Sequence, residues 1–225
     1  MVSLHCAVRY WAEREPGRSA LVYAGQHVSY AELDHRVRHT AGLLAATGIV
    51  KGDVVALLMK NSAAFIELSL AISHMGAVLL PINFRLSTEE VSYILDHAGA
   101  KLLLIDEEIS HLAGTFPQVL RVNSLAQADS RKLGPAQPMV DAHAVRPEDL
   151  FRLMYTSGTT DRPKGVMHSY QNYHWKCIDH ISVLGLTAQT RLLVVGPLYH
   201  VGAFDLPGLA ALQVCLLYTS DAADE

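Results

Sequence analysis

An α/β architecture, a largely parallel sheet layered by helices, is predicted by three features of this sequence. Strand-like and helix-like segments alternate along most of its 225 residues, the order that lays crossover helices over parallel strands. The run at 53–59 is apolar almost throughout, without the period-two alternation of a half-exposed strand, as a strand buried on both faces reads. Two serine-led capping boxes, Ser29-Tyr30-Ala31-Glu32 and Ser87-Thr88-Glu89-Glu90, mark helix starts in the gaps between strands.

In chain order, Ser3 can cap a helix over about 4–14, stopped by Pro16 and Gly17. Residues 21–23 and 27–28 form a hairpin around Gly25. The helix begun at Ser29 sets Leu33, Val37, Leu43 and Leu44 on an apolar side and ends near Gly48. After the strand at 53–59, Asn61 can cap a helix that ends before Gly76, and 78–82 is a further strand. The helix begun at Ser87 ends near Gly99, ahead of the strand at 101–105. Residues 114–147 carry Pro117, Pro135, Pro138 and Pro147, give a weaker signal and contain an irregular connection. Strands are expected at 150–155 and 166–168, a helix over 170–184 capped by Ser169, a strand at 191–195 and a helix over 202–213. Internal repeats and low-complexity tracts are absent.

Composition narrows the function. With 18 basic and 22 acidic residues the formal charge is −4, so no basic excess points to nucleic acid and no charge run to a membrane surface. The cysteines are too few and too scattered for a disulfide framework or a zinc site, and a reduced cytoplasmic setting is expected. Glu13 and Glu15 follow Trp11 closely, with no long apolar core for a signal peptide. The most apolar window, 63–82, contains Glu67, His74 and Pro81, and reads as a buried helix and strand rather than an integral membrane segment.

The chemistry-bearing stretch is Tyr155-Thr156-Ser157-Gly158-Thr159-Thr160-Asp161-Arg162-Pro163-Lys164-Gly165-Val166. It follows a strand and packs hydroxyls, glycines and a lysine into one loop. Glycines let backbone N–H groups converge on an anion, hydroxyls add donors, and Lys164 adds a mobile positive charge, a combination suited to a polyphosphate. A plain turn between strands would use similar residues, but Pro163-Lys164-Gly165 at this offset favours the phosphate reading. The order of Lys164 and Gly165 is not that of a Walker loop, no G-x-G-x-x-G occurs, and no G-x-S-x-G makes Ser157 a nucleophile. His35 and His39, four apart on a helix, lack a third ligand, and Arg36 and Arg38 mark a solvated face; Cys177 and His180 read as structural.

Thr156 through Gly165 resembles the signature loop of the adenylate-forming enzymes, which include acyl-CoA synthetases, luciferases and the adenylation domains of peptide synthetases. Gly76-Ala77-Val78-Leu79-Leu80-Pro81-Ile82-Asn83 resembles an earlier block of that family, and Gly196-Pro197-Leu198-Tyr199-His200-Val201-Gly202 a later one opening the acyl pocket. The resemblance implies part of that family's N-terminal domain. It also implies that Thr156, Ser157, Gly158, Thr159, Thr160 and Lys164 embrace the β- and γ-phosphates of ATP with Mg2+. His200 is implied beside the acyl site, gating or orienting, with Tyr199 shaping the wall. The implied reaction joins a small-molecule carboxylic acid to coenzyme A through an acyl-adenylate; the alternative is a stand-alone adenylation domain loading a carrier protein. Asp161 stands where the family usually has glycine, and its charge would oppose phosphate unless Arg162 or a metal offsets it.

The last eleven residues, Cys215 to Glu225, do not read like the family and can be encoded by a string resembling a transposase adapter. The expectation is a partial AMP-binding N-terminal domain over 1–214 and a non-native tail over 215–225. Without Asp221, Asp224 and Glu225 the acidic count falls from 22 to 19 against 18 bases, a net −1. Because the family's later nucleotide-binding acidic block, ribose-holding aspartate, hinge and C-terminal lysine are absent, the fragment alone is expected to be an inactive half-domain that retains phosphate binding.

Overall fold

Serine hydroxyls set the start of most long helices. The computed structural model describes residues 4–123, 135, 137–156, 162–206, 208–214 and 217–220. Helix α1 spans Leu4–Arg14. Strands β1 (Ser19–Tyr23) and β2 (Gln26–Ser29) form the expected hairpin. In α2 (Tyr30–Ala46) Ser29 Oγ accepts from the Glu32 N–H at 3.2 Å. In α4 (Thr88–Ala98) Ser87 and Glu90 complete a reciprocal capping box, and Ser169 and Asn172 do the same for α5 (Tyr170–Val183). Each such cap satisfies N–H groups that have no partner inside the helix. Ser3, expected to cap α1, lies outside the described residues.

Between these helices run β3 (Val54–Leu58), β4 (Val78–Pro81), β5 (Ala100–Asp106), β6 (Val119–Val122), β7 (Leu150–Thr156) and β8 (Lys164–Ser169). They form a six-stranded sheet in the order β6-β5-β3-β4-β7-β8, parallel except for the β7–β8 hairpin. The chain steps from β3 to β4 through α3 (Ala63–His74), then crosses back to β5 through α4. Reversing direction with a constant crossover hand puts the two helices on opposite faces. The core divides accordingly: Val55, Leu57, Leu79, Leu102 and Leu104 pack with α1, α2, α3 and α5, while Ala56, Leu58, Leu80, Leu103 and Ile105 pack with α4. Successive strand residues point to opposite faces, so both faces are buried and the apolar runs need no alternation.

A second sheet has the order β2-β1-β10-β9, with β9 at Arg191–Leu193 and β10 at Leu217–Ser220. The backbone of β10 pairs in parallel with both β1 and β9.

The stretch after Gly114 contributes β6 at the sheet edge beside β5; its four residues are too few to carry a periodic signal. Two sequence expectations are corrected. The cap of α3 is Ser62, whose Oγ accepts from the Phe65 N–H at 3.1 Å, and not Asn61. The helix expected over 202–213 is two short ones, α6 (Val201–Phe204) and α7 (Ala210–Gln213). Gly208 between them has φ +47°, and a Cβ there would collide with the Phe204 carbonyl.

Candidate active site

In an open parallel sheet, crevices form beyond the carboxyl ends of adjacent strands whose connections leave in opposite directions. Here β4 and β7 are neighbours; the chain leaves β4 toward β5 and leaves β7 toward β8. A cleft of about 360 Å³ lies at that point. Pro81, Ile82 and Asn83 line it from the end of β4, Glu90 and Ile94 from α4, and Met154, Tyr155 and Thr156 from the end of β7. Tyr199 and His200 close another wall. All three family-like blocks, far apart in sequence, therefore meet at one opening. A second cavity of about 440 Å³ lies against Leu4, Trp11, Tyr170 and Tyr173; none of those blocks reaches it, and we regard the cleft as the site.

Thr156 and Lys164 are cross-strand partners at the mouth of the β7–β8 hairpin. Both are exposed, so a hydroxyl and an ammonium flank the two ends of the intervening loop. Ser157, Gly158, Thr159, Thr160 and Asp161 lie outside the described residues. The leg of the loop that returns to β8 is braced by α4. The Arg162 guanidinium lies 5.5 Å from the Tyr93 ring centroid, and the Tyr93 hydroxyl donates to the Pro163 carbonyl at 3.4 Å. His97 stacks on Tyr93 with ring centroids 5.4 Å apart, and its Nδ1 lies 2.6 Å from the Tyr155 hydroxyl. Partial burial raises the Tyr155 phenol above its ordinary range, with Tyr93 adding to the effect, so Tyr155 donates and His97 Nδ1 accepts.

Tyr155 also explains Gly165. The two are directly paired across the hairpin, and the tyrosine ring folds over the glycine so closely that an added Cβ would lie 3.1 Å from Cε2 and Cζ. Glycine in a strand often marks such a close approach. Gly165 makes room for the ring that braces the loop.

His200 caps α6: its Nδ1 accepts from the Gly202 N–H at 3.3 Å, which leaves Nε2 as the proton-bearing nitrogen of the neutral ring. Tyr199 meets Phe84 edge-to-face, with centroids 5.4 Å apart. The turn carrying both residues is held on two sides. On one, the Asn61 carboxamide bonds Gly196 and Leu198. On the other, Asp205, just after α6, receives both guanidinium nitrogens of Arg152 from β7.

That second anchor is a buried polar cluster. His168 Nδ1 accepts from Arg152 Nη2 at 3.1 Å, and Lys176 Nζ donates to the Asp205 carbonyl at 2.7 Å. Burial lowers the proton affinity of His168, reinforced by the Arg152 charge. Burial also lowers that of Lys176, although Asp205 opposes the shift. The cluster ties β7, β8, α5 and α6 together. A signal for it exists in the sequence: Arg152 interrupts the apolar run before the signature loop, and buried arginines are nearly always paired. Its partner, 53 residues away, carries no such mark.

A separate buried relay joins α1, α2 and α3. His74 Nε2 donates to the Val140 carbonyl at 2.8 Å, and its Nδ1 lies 2.7 Å from His5 Nδ1; His5 Nε2 donates to Asp34 at 2.7 Å. With His74 held neutral by its low proton affinity, its Nδ1 is the acceptor of the pair. Burial, reinforced by the His5 charge, lowers His74 to about 4. Burial alone would raise Asp34, but the His5 hydrogen bond and charge outweigh it and hold the carboxyl low. Among the described residues, no group of three or more His, Cys, Asp and Glu is placed to hold a metal ion, and no helix is long and apolar enough to cross a membrane.

Comparison with known proteins agrees with this layout. The family model for AMP-binding enzymes matches residues 8–222. The chain is 34% identical over 201 residues to a feruloyl-CoA synthase of an Amycolatopsis species, covering 89% of this chain and 40% of that protein. It is 36% identical over 196 residues to the long-chain-fatty-acid–CoA ligase FadD13 of Mycobacterium tuberculosis, covering 83% and 38%. An inhibitor-bound crystal structure of the N-terminal domain of FACL13 from the same organism superposes with a TM-score of 0.84 at 31% identity, covering 98% of this chain and 57% of that one. The chain thus spans about two fifths of the length of the curated relatives it matches.

Proposed function

The chain belongs to the AMP-binding enzyme family, and from that premise we propose that its full-length parent is an ATP-dependent acid–thiol ligase that forms acyl-CoA through an acyl-adenylate. The carrying observation is the meeting of Thr156, Tyr199 and His200 at one cleft, at the carboxyl ends of β4 and β7. The names of the relatives, an aryl-acid and a fatty-acid CoA ligase, support a carboxylic acid as the substrate class.

In this reading a carboxylate oxygen attacks the α-phosphorus of ATP, the bond to the bridging oxygen breaks, and pyrophosphate leaves. A thiol then attacks the acyl carbon and AMP departs. Two anions must be held in line, so catalysis depends chiefly on positioning and fixed donors. Thr156 and Lys164, with Ser157, Gly158, Thr159 and Thr160, hold the departing phosphates. Mg2+ would accompany the nucleotide phosphates at these hydroxyls and supply charge screening between the two anions. Tyr199 and His200 form the acyl wall, with His200 orienting or gating rather than transferring a proton. Arg162, engaged over Tyr93, keeps a positive charge next to Asp161 in sequence and supports its tolerance beside phosphate. We assign the reaction to the cytoplasm, as the sparse cysteines suggest.

Acid-dependent ATP–pyrophosphate exchange by the full-length parent is the test. Lys164→Ala should slow exchange by about 10²–10³-fold, the loss of one charged contact to developing charge in a dry site; an unchanged rate removes Lys164 from its role. Offering coenzyme A and a carrier protein as acceptors separates the ligase from a stand-alone adenylation domain. For residues 1–214 alone we infer phosphate binding without turnover, and pyrophosphate release by that fragment would refute it. The non-native origin of 215–225 is likewise a proposal, and sequencing the genomic locus decides it.

A further inference from the structure

Asn61 lies between two anchored neighbours. The Lys60 N–H donates to Asp106 Oδ2 at 2.7 Å, and Ser62 caps α3 through the Phe65 N–H. Its backbone is therefore pinned at the carboxyl end of β3 before its side chain does anything. From there the carboxamide reaches a segment more than 130 residues away. Nδ2 donates to the Gly196 carbonyl at 2.8 Å, and Oδ1 accepts from the Leu198 N–H at 2.7 Å. One planar amide thus serves the acceptor of one residue and the donor of the next but one, as a neighbouring strand would. Pro197, between them, has no N–H to offer. The turn continues through the His200 N–H, which donates to the Pro197 carbonyl at 3.0 Å. Its floor is Leu198, fully buried. Tyr199 and His200 stand on this turn and line the cleft.

We propose that Asn61 is a positioning residue for the acyl wall of the cleft, fixing through its carboxamide the turn that presents Tyr199 and His200. The inference rests on the ligase reading above. Neither hydrogen bond touches substrate, so the effect reaches the reaction only through the placement of the two side chains. An amide with both a donor and an acceptor at this reach is required; aspartate keeps the acceptor for Leu198 and loses the donor for Gly196, and alanine loses both.

The test compares the full-length parent with its Asn61→Ala and Asn61→Asp variants in acid-dependent ATP–pyrophosphate exchange. We expect Asn61→Ala to raise the KM for the carboxylic acid about 10-fold or more, with the KM for ATP within about twofold of the parent, and Asn61→Asp to fall between, as stepwise loss of two partly buried hydrogen bonds would give. A purely structural residue would instead lower the melting temperature and the active fraction while leaving the acid KM of the surviving enzyme unchanged, and that result overturns the proposal. If Asn61→Ala does not fold, Asn61→Asp carries the comparison; failure of both to fold also overturns it, by making Asn61 a stability residue. A parent without acid-dependent exchange overturns the ligase reading and this inference with it, whereas exchange with an unaltered acid KM in the variants overturns this inference alone.

Discussion

Arg152 and Asp205 face each other in a two-pronged ion pair, Nη1 to Oδ1 at 2.9 Å and Nη2 to Oδ2 at 2.6 Å, with 1% and 5% of their side chains exposed. The pair joins the strand that delivers Thr156 to the segment that follows His200. Taking one member away strands the other charge in the core. Asp205→Ala should therefore cost about 3–5 kcal/mol, whereas Arg152→Met with Asp205→Leu should recover most of that loss, because apolar packing replaces a buried pair with little penalty. Lys176, a quarter exposed, can turn to solvent in the double variant. Denaturant unfolding of the three proteins checks this; a double variant no better than the single one would show that the pair itself is what stabilises.

Gly165→Ala should push the Tyr155 ring aside by a few tenths of an ångström, because the new methyl meets it at 3.1 Å, and cost about 1 kcal/mol through the weakened hydrogen bond to His97. Tyr155→Leu in the same background should relieve most of the clash while losing the contact with His97. A double-mutant cycle measures the coupling, and additive effects of the two changes would rule out the contact as the cause.

The His5–His74 relay makes stability depend on pH in a defined window. Folded His74 takes up its second proton near pH 4, while in the unfolded chain it does so near the ordinary value of about 6.5. Between those values the unfolded state binds the extra proton. The contribution is complete above about pH 6.5, declines as pH falls, and is gone below about 4, amounting to roughly 3 kcal/mol at most. His5, Asp34, Arg38 and Arg9 set the surrounding charge. In His74→Gln, which cannot take up that proton, the slope of unfolding free energy against pH should flatten across this window. An unchanged slope would assign the acid sensitivity elsewhere.

Cys177 is fully buried among the aromatic residues of α5 and the core, and burial raises its thiol to about 11. Thiolate is the reactive form, so alkylation at Cys177 should require opening of the structure and follow its unfolding equilibrium. Cys6, partly exposed on α1, should react first. Peptide-resolved labelling in increasing denaturant distinguishes them; equal rates in native buffer would contradict the burial.

The sequence by itself determined the elements and the place of the chemistry. Ser29, Ser87 and Ser169 announce α2, α4 and α5 because capping is settled within one helical turn, and the apolar run of β3 announces a strand covered on both faces. The hydroxyl-rich loop after β7 is equally legible, since all its groups lie within twelve consecutive residues. Tertiary structure alone decided what joins these pieces. Asn61 was a plausible helix cap by local rules and instead bridges to Gly196 and Leu198. Arg152 showed that it needed a partner but not that the partner was Asp205, and the four residues of β6 gain strand character only from lying beside β5. A hydrogen bond to a group three residues away leaves a pattern in the chain. One to a group more than a hundred residues away is specified only by where the rest of the core places both ends.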